Sequence, residues 1–156
     1  MPVRKRIVSA ESQRDEDEWL SIEELAEIVV SSEDPDWPVD GALTRGSTRG
    51  WRAARPGTQV LRIHFDAPRT LSLIHLIFDE SEWERVQEFA IRCSGDRGST
   101  FRPLIRQQFT FSPAGATCEI EEYSVNVAGV TDLELRVVPD VSGRPMVATL
   151  TSLRLR

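Results

Sequence analysis

Short segments in which apolar and polar residues alternate run through most of the chain from residue 60 onwards, and they constrain the fold more than any other feature. Residues 60–65 and 89–93 show the alternation most clearly, and turn-forming residues follow each of them. A period of two is typical of a strand with one buried face. Seven or eight such segments, with no long helical pattern among them, predict an all-β antiparallel sandwich or jelly roll of about eight strands.

Two parts of this pattern carry more detailed predictions. Residues 71–78 are apolar at almost every position, which indicates a strand that is covered on both faces. Asp66-Ala67-Pro68 precedes this segment, and Gly129 separates residues 118–127 from residues 133–137. Because proline and glycine interrupt regular strands, we expect a separate strand on either side of each interruption.

The N-terminal part of the chain differs in composition from the rest. Residues 1–18 are highly charged and show little periodicity, so we expect a flexible segment there and one domain over residues 19–156. Ser21-Ile22-Glu23-Glu24 has the form of a capping box and predicts a short N-terminal helix over about residues 21–26. Residues 31–57 are rich in proline and glycine and are interpreted as a long loop.

Charge and composition exclude several classes of function. The formal net charge of −6 repels a phosphate backbone, and the basic run Arg4-Lys5-Arg6 is followed by the acidic run Asp15-Glu16-Asp17-Glu18, so we do not expect nucleic-acid binding. No apolar stretch is long enough to span a bilayer, and no secretory signal is visible, so we expect a cytoplasmic monomer. Cys93 and Cys118 lie within strand patterns and are expected to be buried free thiols.

Several local signals occur in an order that resembles the discoidin, or coagulation factor 5/8 type C, family of galactose-binding-like jelly rolls. The matching pieces are Val30-Ser31-Ser32, Val39-Asp40-Gly41-Ala42, Gly50-Trp51, residues 56–65, residues 73–76 and residues 89–96. They cover most of residues 26–156. The resemblance implies the fold and a binding surface, but no reaction. Members of the family bind glycans, lipid head groups or proteins through loops at one end of the sandwich.

Trp51-Arg52-Ala53-Ala54 is also similar to a segment of the N-terminal domain of the DNA single-strand-break repair scaffold, which has this fold and binds a polymerase. The two resemblances lead to two functional hypotheses. The first is a non-catalytic module that recognises a carbohydrate or a similar polar ligand through its loops. The alternative is an intracellular protein–protein interaction domain.

The candidate ligand-binding residues lie in two loops. Aromatic rings cover the C–H faces of sugars, while Arg, Asp and Glu pair with hydroxyls, so neighbouring loops with these side chains suit a sugar site. The candidates are Trp37, Arg45, Arg49, Asp79 and Trp83. Trp37 and Trp83 either contact the ligand or cap the open ends of the sandwich. Trp51 occupies a position that the resemblance implies to be buried packing.

Asp34, Asp36 and Asp40 form a candidate calcium site, because carboxylates are concentrated in a turn-rich loop where family members often hold a structural calcium. Their alternative role is to cap the local turns and a helix. The insertion at residues 43–49 departs from the family pattern in the same region. We expect no other cofactor.

Catalytic arrangements find little support in the sequence. Asp79, Glu80, Glu82 and Glu84 supply carboxylates, but they lie in one run that is typical of a solvated acidic loop rather than of a glycosidase pair. His64 and His75 lie within strand patterns and are interpreted as core or sheet-face histidines. The sequence therefore predicts a protein that is not an enzyme.

Overall fold

The structure is a computed structural model, and it describes residues 19–44, 46–47 and 49–156. Two short helices and eight strands make up this part of the chain. In order they are α1 (Ile22–Leu25), β1 (Ala26–Val30), α2 (Asp40–Leu43), β2 (Trp51–Pro56), β3 (Gln59–Asp79), β4 (Arg85–Ser94), β5 (Arg102–Phe111), β6 (Cys118–Val138), β7 (Val147–Leu150) and β8 (Ser152–Leu155). No helix in these ranges is long and apolar enough to cross a membrane.

The two 21-residue strands β3 and β6 organise an antiparallel sandwich. The strands follow the order β1-β3-β6-β4-β5, β8 pairs with the second half of β3, and β2 pairs with β7 in a separate ladder. The first half of β3 pairs with the second half of β6, and the second half of β3 pairs with the first half of β6. Each long strand thus contributes to both layers, as strands do in a jelly roll.

Aromatic side chains fill the space between the layers. Phe78 from β3 and Phe89 from β4 have ring centroids 5.3 Å apart, and Phe109 from β5 packs against both rings. Trp51 is only 2% exposed, and its indole N–H donates a 3.0 Å hydrogen bond to the carbonyl of Ser32. The prediction that Trp51 belongs to the core is therefore confirmed.

Asp66-Ala67-Pro68 and Gly129 do not divide their strands, contrary to the sequence prediction. Between His64 and Arg69 the register of β3 against β6 shifts, and Pro68 lies inside this interruption. A proline is tolerated there because no ladder hydrogen bond requires its missing N–H. Gly129 lies in β6 where its register against β3 shifts. Its φ of +66° is a left-handed conformation that glycine adopts at little cost.

Four further local predictions differ from the structure. Trp51–Pro56 forms strand β2 instead of loop, and Val147–Leu150 forms β7 in a segment where no strand was predicted. Residues 71–78 are not covered equally on both faces, since Ser72 is exposed on the outer one. Ser21 precedes α1 without a side-chain capping hydrogen bond, so the predicted capping box is not formed.

The two cysteines lie in different environments. Cys93 is a buried free thiol as predicted, whereas Cys118 is exposed at the start of β6. The prediction for Cys118 was wrong because its side chain is exposed at the start of β6, in the half of the strand that pairs with β3 and not with β4.

Candidate ligand-binding cleft

A cleft with a volume of about 580 Å³ opens where the β3–β4 and β6–β7 loops meet strands β2 and β7. Its size is within the range of small-molecule and sugar sites. Its lining combines one aromatic ring, an apolar wall, and groups that donate and accept hydrogen bonds. The lining residues are Arg52, Asp79, Glu80, Ser81, Glu82, Trp83, Arg85, Arg144, Pro145, Met146, Val147 and Thr149.

Trp83 is the aromatic group of this cleft, and 59% of its surface is exposed. The turn that carries it is held by Glu80, whose Oε1 accepts hydrogen bonds from the backbone N–H groups of Glu82 at 3.1 Å and Trp83 at 3.0 Å. A carboxylate that accepts two neighbouring N–H groups restrains the loop strongly. The indole is therefore presented to solvent on an ordered turn.

Arg85 forms a buried part of the cleft wall and is only 2% exposed. Its guanidinium pairs with Oε2 of Glu80 at 3.1 Å and donates to the carbonyl of Val147 at 2.9 Å. Burial lowers the pKa of Arg85, against the opposing effect of the Glu80 carboxylate. Its Nε is buried without a hydrogen-bond partner among the described residues.

Arg144 joins the two loops across the cleft. Its Nε donates to Oδ2 of Asp140 at 2.8 Å, and another guanidinium nitrogen donates to the carbonyl of Glu84 at 2.6 Å. Hydrogen bonds from Arg144 and Ser142 lower the pKa of Asp140 well below its usual value. The β6–β7 loop is thus tied to the loop of Trp83 by a charge-assisted contact.

Arg52 connects the cleft to Trp37. Its guanidinium carbon lies 5.3 Å from the centroid of the Trp37 ring, and that of Arg49 lies 4.9 Å from the same centroid. Arg49 also donates to the carbonyl of Asp36 at 2.9 Å. Cations over an indole are attracted by its π electrons. Trp37 therefore serves as a platform for two arginines, one of which lines the cleft.

Asp79 lies at the end of β3 and accepts a 2.8 Å hydrogen bond from the hydroxyl of Thr151. The neighbouring Cys118 is its partner in the β3–β6 ladder. Partial burial raises the pKa of the Cys118 thiol, and its hydrogen bond with Asp79 raises it further. Asp79 thus places a carboxylate on the cleft wall without a cationic partner among the described residues.

The structure brings only part of the predicted ligand set together. Asp79 and Trp83 line the cleft, whereas Trp37 and Arg49 lie beside it and reach it through Arg52. Arg45 lies outside the described residues. The predicted ligand set contained none of the three arginines that line the cleft, Arg52, Arg85 and Arg144. The sequence alone could have indicated Arg52, because a buried Trp51 in a strand places the next side chain on the opposite face.

The predicted calcium ligands do not converge. Oδ1 of Asp34 accepts the backbone N–H of Asp36 at 2.9 Å, and Asp40 is exposed at the first residue of α2. No group of three or more His, Cys, Asp or Glu side chains in the described part of the chain is placed to hold a metal ion. Asp34 has instead the turn-capping role that was the alternative.

The two histidines lie on sheet faces. His64 and Asp132 are opposite each other on β3 and β6, and the ring Nδ1 is hydrogen-bonded to the buried carboxylate. Beside them, Glu134 accepts hydrogen bonds from Arg62 and Arg92. Burial alone would raise the pKa of Glu134, but these two guanidinium groups outweigh it and lower that pKa. Such cross-strand rows stabilise a sheet face.

No protein-family model matches the sequence, and no curated protein matches it. Solved structures do match. The family 32 carbohydrate-binding module of NanJ from Clostridium perfringens, in complex with galactose, is 11% identical and has a TM-score of 0.66, over 88% of this chain and 96% of that chain. CBM32-3 from a family 31 glycoside hydrolase of the same organism is 15% identical, with a TM-score of 0.67, over 90% and 95%.

The CBM32 of AlyQ, solved in complex with 4,5-unsaturated mannuronic acid, is 13% identical and has a TM-score of 0.62, over 85% of this chain and 95% of that chain. At these identities the likeness shows the fold. The chain is a galactose-binding-like β-sandwich, which confirms the predicted architecture.

Proposed function

We propose that this protein is a non-catalytic carbohydrate-binding module that holds its ligand in the cleft beside Trp83. The observation that carries the proposal is an indole, 59% exposed, on the wall of a cleft that also contains guanidinium, carboxylate and hydroxyl groups. An apolar ring face covers the C–H surface of a sugar, and polar groups around it bind the hydroxyls. Large exposed aromatic side chains otherwise have little reason to lie in a concave site.

The cleft is organised before any ligand arrives. Glu80 fixes the turn of Trp83 and pairs with Arg85, and Arg144 ties the opposite loop to the same turn. A loop that becomes ordered only on binding reduces the net free energy of binding, and a preformed site avoids this loss. This rigidity favours recognition of a weakly held ligand such as a sugar.

The structural neighbours support a binding role over a catalytic one. Two of them are carbohydrate-binding modules, one solved in complex with galactose and one from a family 31 glycoside hydrolase. Such modules can be parts of enzymes without carrying the reaction. We therefore assign no catalytic residue to the cleft.

A glycan-array screen followed by calorimetric titration tests the proposal. Trp83→Ala should weaken binding of any glycan found by at least about tenfold, or about 1.4 kcal/mol, without lowering the thermal midpoint. Val29→Ala is the matched control, because Val29 is also an exposed apolar residue, at 46%, but lies on β1 away from the cleft. Absence of binding to every glycan by the folded protein, or equal affinities of the two variants, would contradict the proposal.

A further inference from the structure

Three arginines line the cleft, and two of them already form ion pairs with carboxylates of the protein. Arg85 is paired with Glu80 at 3.1 Å, and Arg144 is paired with Asp140 at 2.8 Å. A guanidinium that already has a carboxylate partner has little net attraction left for an acidic ligand. The positive charge of these two groups therefore does not define the charge that the cleft prefers.

Two carboxylates that line the cleft, Asp79 and Glu82, are not neutralised in this way. Asp79 and Glu82 are both exposed, and neither forms an ion pair with a described residue. The third lining cation, Arg52, lies over the Trp37 ring. The lining contains three arginines and three carboxylates, but Arg144 is paired with Asp140, which lies outside the lining. Asp79 and Glu82 therefore outnumber Arg52 among the lining charges that have no ion-pair partner, and this leaves one negative charge in excess.

Trp83 and the net charge of the whole chain also favour a cationic ligand. Trp83 follows Glu82 directly, and its exposed indole face attracts cations. The formal net charge of −6 adds a field that draws cations towards the protein and repels anions.

We infer that the cleft selects glycans with a protonated amino group over their N-acetylated forms and over acidic glycans. The inference rests on the proposed function and specifies the class of sugar. The ammonium group lies against Asp79 and Glu82, and the ring packs on Trp83. Acidic sugars meet the same two carboxylates and are repelled.

Matched ligands test this selectivity directly. The probes are the β-1,4-linked tetramers of glucosamine and N-acetylglucosamine, and galactosamine, N-acetylgalactosamine and galacturonic acid as monosaccharides, each titrated calorimetrically or by NMR. The amine should bind about two- to fivefold tighter than its acetylated counterpart in at least one series, as is usual for exposed charge pairs. The preference should disappear when the ionic strength rises from about 0.01 M to about 1 M, where the screening length falls to about 3 Å.

Two conservative variants assign the preference to the carboxylates. Asp79→Asn/Glu82→Gln removes both charges, and the new amide oxygen at residue 79 can still accept the hydroxyl of Thr151. This variant should bind the amine and the N-acetylated sugar equally. Glu84→Gln is the control, because Glu84 is an exposed carboxylate of the same loop that does not line the cleft. It should keep the preference.

The possible outcomes separate this inference from the proposed function. Binding of N-acetylated or acidic sugars as tightly as amino sugars overturns the inference and leaves the proposed function standing. An unchanged preference in Asp79→Asn/Glu82→Gln also overturns it. Absence of binding to every probe and every array glycan overturns both.

Discussion

The ion pair between Glu80 and Arg85 gives the sharpest prediction about what holds the cleft together. Glu80→Gln removes the charge of the carboxylate but keeps an oxygen that can accept the N–H groups of Glu82 and Trp83. The variant therefore isolates the charge–charge contribution from the turn geometry. It leaves the guanidinium of Arg85, only 2% exposed, without a carboxylate partner.

The magnitude follows from the separation and the burial. Two unit charges 3.1 Å apart attract each other by about 5 kcal/mol at the effective dielectric constant of about 20 that suits proteins. Removing one partner of a buried pair typically costs 3–5 kcal/mol, roughly, because the other charge stays buried. Glu80 is 11% exposed, which admits some solvent screening. We therefore expect Glu80→Gln to lower the free energy of unfolding by about 3 kcal/mol.

Urea denaturation at neutral pH, followed by tryptophan fluorescence, measures this loss. Arg85→Met and the double variant Glu80→Gln/Arg85→Met complete a thermodynamic cycle. Replacing both charges should recover much of the lost stability, because an apolar side chain can fill the buried site without a desolvation cost. A loss below about 1 kcal/mol in Glu80→Gln, or strictly additive effects in the double variant, would refute the view that Arg85 depends on Glu80.

Three further predictions concern the sandwich itself. Trp51→Ala should cost about 3–5 kcal/mol in urea unfolding, because it empties a buried site and leaves the Ser32 carbonyl without its donor; a cost near 1 kcal/mol would contradict this packing. Gly50→Ala should lower the free energy of unfolding by about 1–3 kcal/mol, because its Cβ would lie 2.4 Å from the carbonyl oxygen of Leu150 in β7. In the control Gly115→Ala the new Cβ meets nothing within 4 Å, so stability should not change. Equal thermal midpoints of the two variants would contradict the predicted clash with β7. Hydrogen bonds from Ser94 and Thr100 lower the pKa of Asp96 to about 2, so its stabilising effect is present above about pH 4, the unfolded-state value, and is lost as the pH falls towards 2. The stability of the wild type should therefore fall more steeply than that of Asp96→Asn over this window, and parallel pH profiles would exclude the effect.

The fold could be predicted from the sequence because alternation in short segments is a local signal that each strand carries by itself. The continuity of β3 and β6 was not visible in this way. Pro68 and Gly129 interrupt strands in most contexts, and only the pairing of the two strands shows that both residues lie at shifts of register. β7 was missed because Val147 and Ala148 are both apolar, so this short segment does not alternate, whereas β8 of the same length does.

The candidate site was predicted in part for a similar reason. Trp83 and Asp79 belong to one recognisable loop, and sequence reasoning selected both. Arg52 was missed because residues 51–56 were interpreted as loop, although the burial of Trp51 would have placed Arg52 outside the core. Arg85 and Arg144 depend on contacts between loops that are 60 residues apart in sequence, as the bond from Arg144 to the Glu84 carbonyl shows. No local pattern encodes such a contact.

The central claim is that a carbohydrate binds in the cleft beside Trp83, and the indole N–H signals of the four tryptophans test it most directly. Assigned ¹H–¹⁵N spectra would be recorded during titration with galactose, N-acetylgalactosamine and the glucosamine tetramer. We expect at least one of these sugars to shift the Trp83 signal in a saturable manner, while the signal of buried Trp51 stays in place. A Trp83 signal that none of the three sugars moves, or sugar-dependent shifts confined to residues outside the cleft, would contradict the claim.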